Sequence, residues 1–455
     1  MKAERLGKIA EAMNGILEIP EAENVYARGV SIDTRTISPG EIFFALTCMR
    51  DGHDFVLDAY EKGTLAAVVE RKIDLPLPQI IVKDTLFALG ELAQRYRNAM
   101  NAKILAITGS VGKTTVREMI TCVLEPGFRI HSAKKNYNNL IGLPLTLLEI
   151  EEEHEIAVVE LGINQPGEME RLSEIASPDM AVITAIAEVH TEGLGSISGI
   201  IEEKAKIITA MSADAPLFIN TDSVKQDLLN RIGHRRIITY GIDTEADYSA
   251  KNMQFLNGHP SFSVCNVDLT LKHFGKPSIY AALAAIAIAD YFDIPMVRVV
   301  ENLQESSPKQ HRMVQIIAGE LTILDDSYNS SPTALYESLR ALSMLPVKRR
   351  IAVLGDMLEL GELDEKYHRE VGQWVAEMEL DGALFFGRLM QHAVNQAVKS
   401  GFTGFSYATE DFNDAIIFLK QNLESGDAIL IKGSHSMDMI QFVEELEKCF
   451  AKEKQ

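Results

Sequence analysis

The stretch ITGSVGKTT, Ile107 to Thr115, constrains this chain more than any other. It follows the apolar run KILAIT and leads directly into KTTVREMITCVL, so a buried strand must turn sharply at glycines and enter a helix at Lys113. That order sets several backbone N–H groups and a helix N-terminus against one small volume, which suits phosphate. The commonest phosphate loop, G-x-x-x-x-G-K-[ST], would need its first glycine at position 107, where this chain has Ile. The loop is a shorter form. Thr108, Gly109, Ser110, Val111 and Gly112 build the turn, and Lys113 supplies a point charge for β- and γ-phosphate oxygens. Thr114 supplies a hydroxyl for Mg²⁺, and Thr115 a second hydroxyl or a cap. The bland alternative is a glycine turn that only joins strand to helix.

The same alternation continues along the chain. IAVVELG, DMAVITAI and APLFINT read as strands, with GEMERLSEIA and GIIEEKAKIITAM as helices between them, the signature of a parallel sheet with crossover helices. Before this series, EIFFAL, LAAVVE and the amphipathic TLFALGELAQRYRNAM form a small α/β unit. After it, a polar alternating stretch near 247–272 predicts antiparallel strands, followed by the helix SIYAALAAIAIADYF. A further β-α series then carries LTILDDS, RRIAVLGD, GALFFG and DAILIKG as strands. At 455 residues the chain exceeds one ordinary core, and the expected division is 1–100, 101–312 and 313–455 in an α/β fold.

A formal charge of −21 argues against a nucleic-acid partner, because phosphate backbone would be repelled over most of the surface. Cys48, Cys122, Cys265 and Cys449 form no C-x-x-C pair, which fits packing roles in a reducing compartment. The N-terminal MKAERLGKIAEAMNGIL lacks the apolar core of a signal peptide, and AALAAIAIA is too short to span a bilayer. A cytoplasmic protein is expected, with no transmembrane segment.

Downstream of the loop, Glu160 ends the strand IAVVE, His190 follows VITAIAEV, and Lys204 sits in the next helix. Carboxyl ends of parallel strands collect ligands, and Mg²⁺ takes hard oxygen donors such as a carboxylate. On position alone Glu160 reads equally as a solvated charge, while His190 and Lys204 read more readily as packing or solvated residues.

Taken together, TGSVGKTT, KNYNNLIGLPLTLL, ELGINQPGE, EVHTEG and EEKAKI resemble the ATP-binding domain of the Mur ligases, whose loop has this shorter form. SIDTRTISPGEIFFAL with DGHDF is similar to that family's UDP-sugar-binding N-terminal domain. LDDSYNSSP, VLGDMLELG and KGSHS are similar to its Rossmann-like C-terminal domain. The resemblance implies an ATP-dependent ligase that joins D-alanyl-D-alanine to a UDP-N-acetylmuramoyl-tripeptide through an acyl phosphate, acting as a monomer. It implies that Thr114 and Glu160 hold one Mg²⁺, and that His190 and a carbamylated Lys204 hold a second. Asn139, Arg312, Asp326, Tyr328 and Asn329 would join the loop around ATP. Ser31, Asp33, Thr34, Arg35, Asp51, His53 and Asn138 would contact the UDP substrate. In the bland reading, DTR is a loop salt bridge and DGH a turn.

The chain departs from the family pattern at Cys48, Gln165, Ala205, Lys206, His311 and His435. Pro277-Ser278 and Ala281 replace a His-Asn pair and a later Asn associated with adenine. These changes fall on adenine recognition and the acceptor pocket, and they leave phosphate chemistry intact. A paralogue making an amide on another substrate and a non-catalytic binder of nucleotide-sugar peptides are the alternatives. Retention of Lys113, Glu160, His190 and Lys204 speaks against the binder.

Overall fold

The structure, a computed structural model, describes residues 1–48, 50–133, 136–188, 191–224, 226–233, 236–309 and 311–450. It is an α/β protein built mainly on parallel sheets. The N-terminal sheet has five strands, β1 (Ile16–Leu17), β2 (Val30–Ser31), β3 (Ile42–Phe44), β4 (Ala66–Val69) and β5 (Gln79–Ile81), in the order β1-β5-β4-β3-β2. All its pairings are parallel except β1 with β5. Helix α1 (Thr85–Asn98) starts where the Asp84 carboxylate accepts the Phe87 N–H. Its Leu89 and Leu92 share a core with Leu143 and Leu147 of the central part. Arg97 reinforces that seam, donating to Ala176 O at 3.1 Å and pairing with Asp179 at 2.7 Å.

The central sheet has seven parallel strands: β6 (Lys103–Thr108), β7 (Ile130–Ser132), β8 (Ile156–Glu160), β9 (Met180–Ile183), β10 (Leu217–Asn220), β11 (Ile237–Gly241) and β12 (Tyr248–Ser249). Their order, β12-β11-β10-β9-β6-β8-β7, puts β6 between β9 and β8, the strands that carry the other candidate ligands. Strand β6 is buried from Ile104 to Thr108, which is why its sequence reads as an unbroken apolar run. Helices α2 (Lys113–Leu124), α6 (Gly275–Tyr291) and α7 (Met296–Glu305) cover one face. Helices α3 (Gly142–Leu148), α4 (Glu168–Ala176) and α5 (Ile197–Ala205) cover the other, beneath α1. Buried on nearly every side, α6 is built of alanines and branched apolar residues, as a helix inside a core must be. The predicted antiparallel stretch is a three-stranded ribbon, β13 (Lys251–Leu256), β14 (His259–Val264) and β15 (Val267–Thr270).

The C-terminal sheet has six strands in the order β16-β17-β21-β18-β19-β20. Four are the predicted ones, β17 (Leu321–Asp325), β18 (Arg349–Gly355), β19 (Gly382–Phe386) and β21 (Asp427–Lys432). Edge strands β16 (Val314–Ala318) and β20 (Phe405–Thr409) escaped the sequence reading because each is only partly buried and lacks an apolar run. Helices α8 (Pro332–Ser343), α9 (Asp364–Glu377), α10 (Met390–Lys399), α11 (Phe412–Asn422) and α12 (Ile440–Phe450) flank it. Among the described residues, no helix is long and apolar enough to cross a membrane.

Candidate functional site

Strand β6 delivers the glycine loop to the carboxyl edge of the central sheet, and the loop is pinned there from β9. Ser110 N–H donates to Ala185 O at 2.6 Å and Ser110 Oγ to Ala187 O at 2.9 Å, while Thr184 Oγ1 donates to Val111 O at 2.7 Å. Gly109 has φ +146°, and a Cβ there would lie 1.9 Å from Thr184 Oγ1, so no larger residue fits. Gly112, at φ +88°, turns the chain into α2. Thr108 is fully buried and donates to Leu161 O at 2.9 Å. Thr108 and Gly109 therefore support the loop from below, while Ser110 through Thr115 line a cleft of about 630 Å³.

Lys113 Nζ lies 2.8 Å from Gly109 O, folded back over the loop. Burial pushes its pKa down and nearby Arg312 adds to that, against the pull of Glu160. Thr114 donates to Glu160 Oε2 at 3.2 Å. Glu160, 1% exposed, has Arg117 Nη1 3.0 Å from Oε1, an ion-pair contact without hydrogen-bond geometry, and Oε1 has no hydrogen-bond partner among the described residues. Arg117 was not singled out from sequence, although its place three residues after Thr114 puts it on the same helical face.

Lys204 is 2% exposed in α5. Burial pushes its pKa well below the ordinary lysine value, and the Lys113 charge adds to this against the weaker opposing pull of Glu203. The Glu203 carboxylate accepts from the N–H groups of Gly167 and Met169 and from Lys206, so among the described residues no carboxylate pairs with Lys204. The predicted ligand His190 lies outside the described residues.

The opposite wall comes from the C-terminal sheet. Arg312 lies 4.3 Å over the Tyr328 ring. Asp326 accepts from Lys432 Nζ at 2.6 Å and from Ser338 Oγ at 2.7 Å, and Asn329 Oδ1 accepts from Ser330 N–H at 2.9 Å and His435 N–H at 3.2 Å. These four predicted residues line the cleft with the loop. Lys432 was missed, though a lysine ending the apolar strand DAILIK is a readable signal. Asn139 Oδ1 accepts from the N–H groups of Ile141 and Gly142 at the start of α3, and Asn139 lines the same cleft. Asn138, expected with the UDP group, also lines the phosphate cleft and donates to Asn136 Oδ1 at 2.8 Å.

Of the other UDP candidates, Ser31 ends β2 and the rest follow β2 or β3 in the N-terminal sheet, and most of their side chains are engaged locally. Asp33 pairs with Arg35 at 2.7 Å, which holds its carboxyl down at about 2. Ser31 Oγ accepts the Asp33 N–H at 3.2 Å, and Thr34 O accepts from Lys62 at 2.7 Å. Asp51 pairs with Arg71 at 2.7 Å, and Asp51 Oδ1 lies 2.6 Å from His53 Nδ1. His53 Nε2 accepts the Glu70 N–H at 2.8 Å, so its proton sits on Nδ1. The guanidinium of Arg35 remains exposed.

A phosphate loop on one sheet facing an arginine and acidic wall on another, with a buried carboxylate beneath it, defines a nucleotide-dependent enzyme working in a cleft between sheets. Residues 107–289 match the Mur ligase middle domain, and residues 311–435 match the Mur ligase glutamate ligase domain. The UDP-N-acetylmuramoyl-tripeptide–D-alanyl-D-alanine ligase of Bacillus subtilis (strain 168) is 35% identical, with 96% of this chain and 97% of that protein covered. The ligase of the same name from Escherichia coli (strain K12) is 32% identical, covering 97% and 98%. A crystal structure of MurF from Acinetobacter baumannii superposes with TM-score 0.88 at 27% identity, covering 98% of this chain and 99% of that one. MurF from Thermotoga maritima in complex with ADP gives TM-score 0.82 at 25% identity, covering 93% and 97%. The chain belongs to the Mur ligase family of ATP-dependent ligases, among the UDP-N-acetylmuramoyl-tripeptide–D-alanyl-D-alanine ligases.

Proposed function

We propose that this protein joins D-alanyl-D-alanine to the terminal carboxylate of a UDP-N-acetylmuramoyl-tripeptide at the expense of ATP, a step in peptidoglycan precursor synthesis. The observation that carries this reading is the cleft itself, in which Ser110 to Thr115 face Arg312, Asp326, Tyr328 and Asn329. A carboxylate oxygen attacks the γ-phosphorus and ADP leaves. The dipeptide amine then attacks the acyl carbon, phosphate leaves, and the amine's extra proton is lost. A carboxylate is a poor electrophile, so phosphorylation supplies the leaving group, and the protein contributes position and charge. Lys113 and the loop N–H groups hold the β- and γ-phosphates, Arg312 closes on them from the far wall, and Tyr328 and Asn329 fix the nucleoside end.

Mg²⁺ fits this donor set, because Glu160 Oε1 is buried with an unused lone pair beside the Thr114 hydroxyl. Thr114 and Glu160 would hold the ion, and its chemistry is neutralisation of phosphate charge. Lys204, whose pKa burial lowers well below the ordinary lysine value and which lacks a carboxylate partner among the described residues, suits carbamylation, and as a carbamate it would complete a second site with His190. Ser31, Asp33, Thr34, Arg35, Asp51 and His53 take the UDP group at the carboxyl edge of the N-terminal sheet, with Arg35 as the exposed charge for its diphosphate. Asn138 serves the substrate from the phosphate cleft.

The chain works as a cytoplasmic monomer of three moving parts, 1–100, 101–312 and 313–455. Phosphate release, with mass analysis of the product, tests the reading in the presence of ATP, Mg²⁺, UDP-muramoyl-tripeptide and D-alanyl-D-alanine. Release that does not depend on the dipeptide, or that yields no pentapeptide, would sink it. Size-exclusion chromatography with light scattering tests the monomer.

A further inference from the structure

His273 immediately precedes the N-terminus of α6 and lines the cleft that holds the phosphate loop. Its side chain is 4% exposed, and neither ring nitrogen has a hydrogen-bond partner among the described residues. A buried polar group left unpaired destabilises a free protein, so a site that retains one points to a ligand that completes it.

His259 Nδ1 is also buried without a partner among the described residues, but His259 does not line the cleft, and the side chains next to His273 along the chain have no such spare capacity. Lys276 pairs with Asp243 at 2.7 Å, Ser278 Oγ donates to Gly275 O at 2.8 Å, and Pro277 and Ala281 carry no polar side-chain atom. The surroundings suit a flat heteroaromatic ring. Phe274, Pro277, Ala334 and Ala341 line the same cleft and offer apolar surface to such a ring. Burial and the neighbouring His259 push the imidazole down to about 4, so at neutral pH it offers one N–H and one lone pair and no charge for phosphate.

We propose that His273 is the base-reading residue of the cleft, hydrogen-bonding the purine edge of ATP through the ring nitrogens that the free protein leaves unpaired. This assignment rests on the reading of the cleft as an ATP site. Phosphates at Ser110 to Thr115 and the base at His273 divide one nucleotide between the two ends of α2 and α6 that meet the cleft.

The test measures dissociation constants for ADP, inosine diphosphate and inorganic tripolyphosphate with the full chain and with His273→Leu and His273→Gln. His273→Leu should weaken ADP about tenfold or more and erase the preference over inosine diphosphate, while tripolyphosphate stays within about twofold. His273→Gln, which keeps a donor and an acceptor, should recover part of the loss. Without nucleotide, His273→Leu should melt no lower than the parent, because it removes unpaired polar atoms from a buried position. Unchanged ADP affinity in both variants, or equal weakening of ADP and tripolyphosphate, would overturn the assignment. A parent chain that binds neither ADP nor tripolyphosphate would instead overturn the ATP reading, and this assignment with it.

Discussion

Arg117→Met is the most informative single change, because it separates the electrostatics beneath the loop from the loop itself. Met fills much of the arginine's volume but leaves Glu160, 1% exposed, without the guanidinium that sits 3.0 Å from its Oε1. Removing one member of a buried ion pair costs about 3–5 kcal/mol, a large share of the ~5–15 kcal/mol that stabilises a typical domain. Lys113 also feels the Glu160 charge and can compensate in part, so the lower end is expected. At 1.4 kcal/mol per tenfold, 3 kcal/mol corresponds to roughly a hundredfold loss of amide protection. The only tryptophan, Trp374, lies in α9 and reports on the C-terminal sheet, so fluorescence is a poor probe here. Hydrogen exchange followed by mass analysis of peptides covering β6 and β8 reads the affected strands directly. ADP with Mg²⁺ should restore part of the protection, because a cation at Glu160 replaces the missing charge. Adding Glu160→Gln to Arg117→Met should recover stability, since replacing both charges avoids an unpaired one. Protection unchanged in Arg117→Met, or a double variant as weak as the two singles added together, would refute the reasoning.

Lys113→Ala should abolish phosphoryl transfer while UDP-nucleotide affinity, measured by calorimetry, stays within about twofold, since the two contacts lie on different sheets. Gly109→Ala puts a Cβ 1.9 Å from Thr184 Oγ1 at φ +146°; ADP affinity should fall at least tenfold, and wild-type affinity would disprove the close approach. Lys204→Ala should lose most turnover and regain part of it with added short-chain carboxylates, whereas a merely solvated lysine would leave turnover intact. The folded-state pKa of Lys204 lies below its unfolded value, so the unfolded chain binds more protons between the two and stability rises with pH across that window. Lys204→Met should flatten that rise in thermal melts taken from pH 7 to pH 10.

The loop was legible because it compresses strand, turn, charge and hydroxyl into neighbouring positions that only a local rule governs. The helix start at Lys113 and Thr114 and the strand end at Glu160 meet in one cleft. Thr108 builds the turn from beneath, and the sequence could not say that its hydroxyl donates to Leu161 O. Arg117 and Lys432 were overlooked for a related reason. A charged residue on a helix or at a strand end reads as solvated until tertiary packing buries it against a carboxylate, and each of these has such a partner from another element. The partly buried strands β16 and β20 lacked the apolar runs that announced the interior strands. The DTR and DGH segments fall between the two readings, for their side chains satisfy one another yet sit after strands of one parallel sheet.

The segment after β9 ties these pieces into one device. Its backbone oxygens at Ala185 and Ala187 fix Ser110, and Thr184 fixes Val111, so it sets the shape of the phosphate loop. A few residues further on, Thr191 Oγ1 donates to Leu360 O at 2.8 Å, and Glu188 accepts from the Tyr367 hydroxyl. Both partners belong to the C-terminal part, Leu360 just before α9 and Tyr367 within it. The same short stretch therefore touches the phosphates' cradle at one end and the wall that carries Arg312 and Tyr328 at the other. A shift of that wall on nucleotide binding would bear on Glu188, which follows Ala187 directly, and the core that Phe274 shares with the C-terminal part offers a second route. Two-part ligase chemistry needs such a link, because the acyl phosphate must be kept from water until the amine arrives.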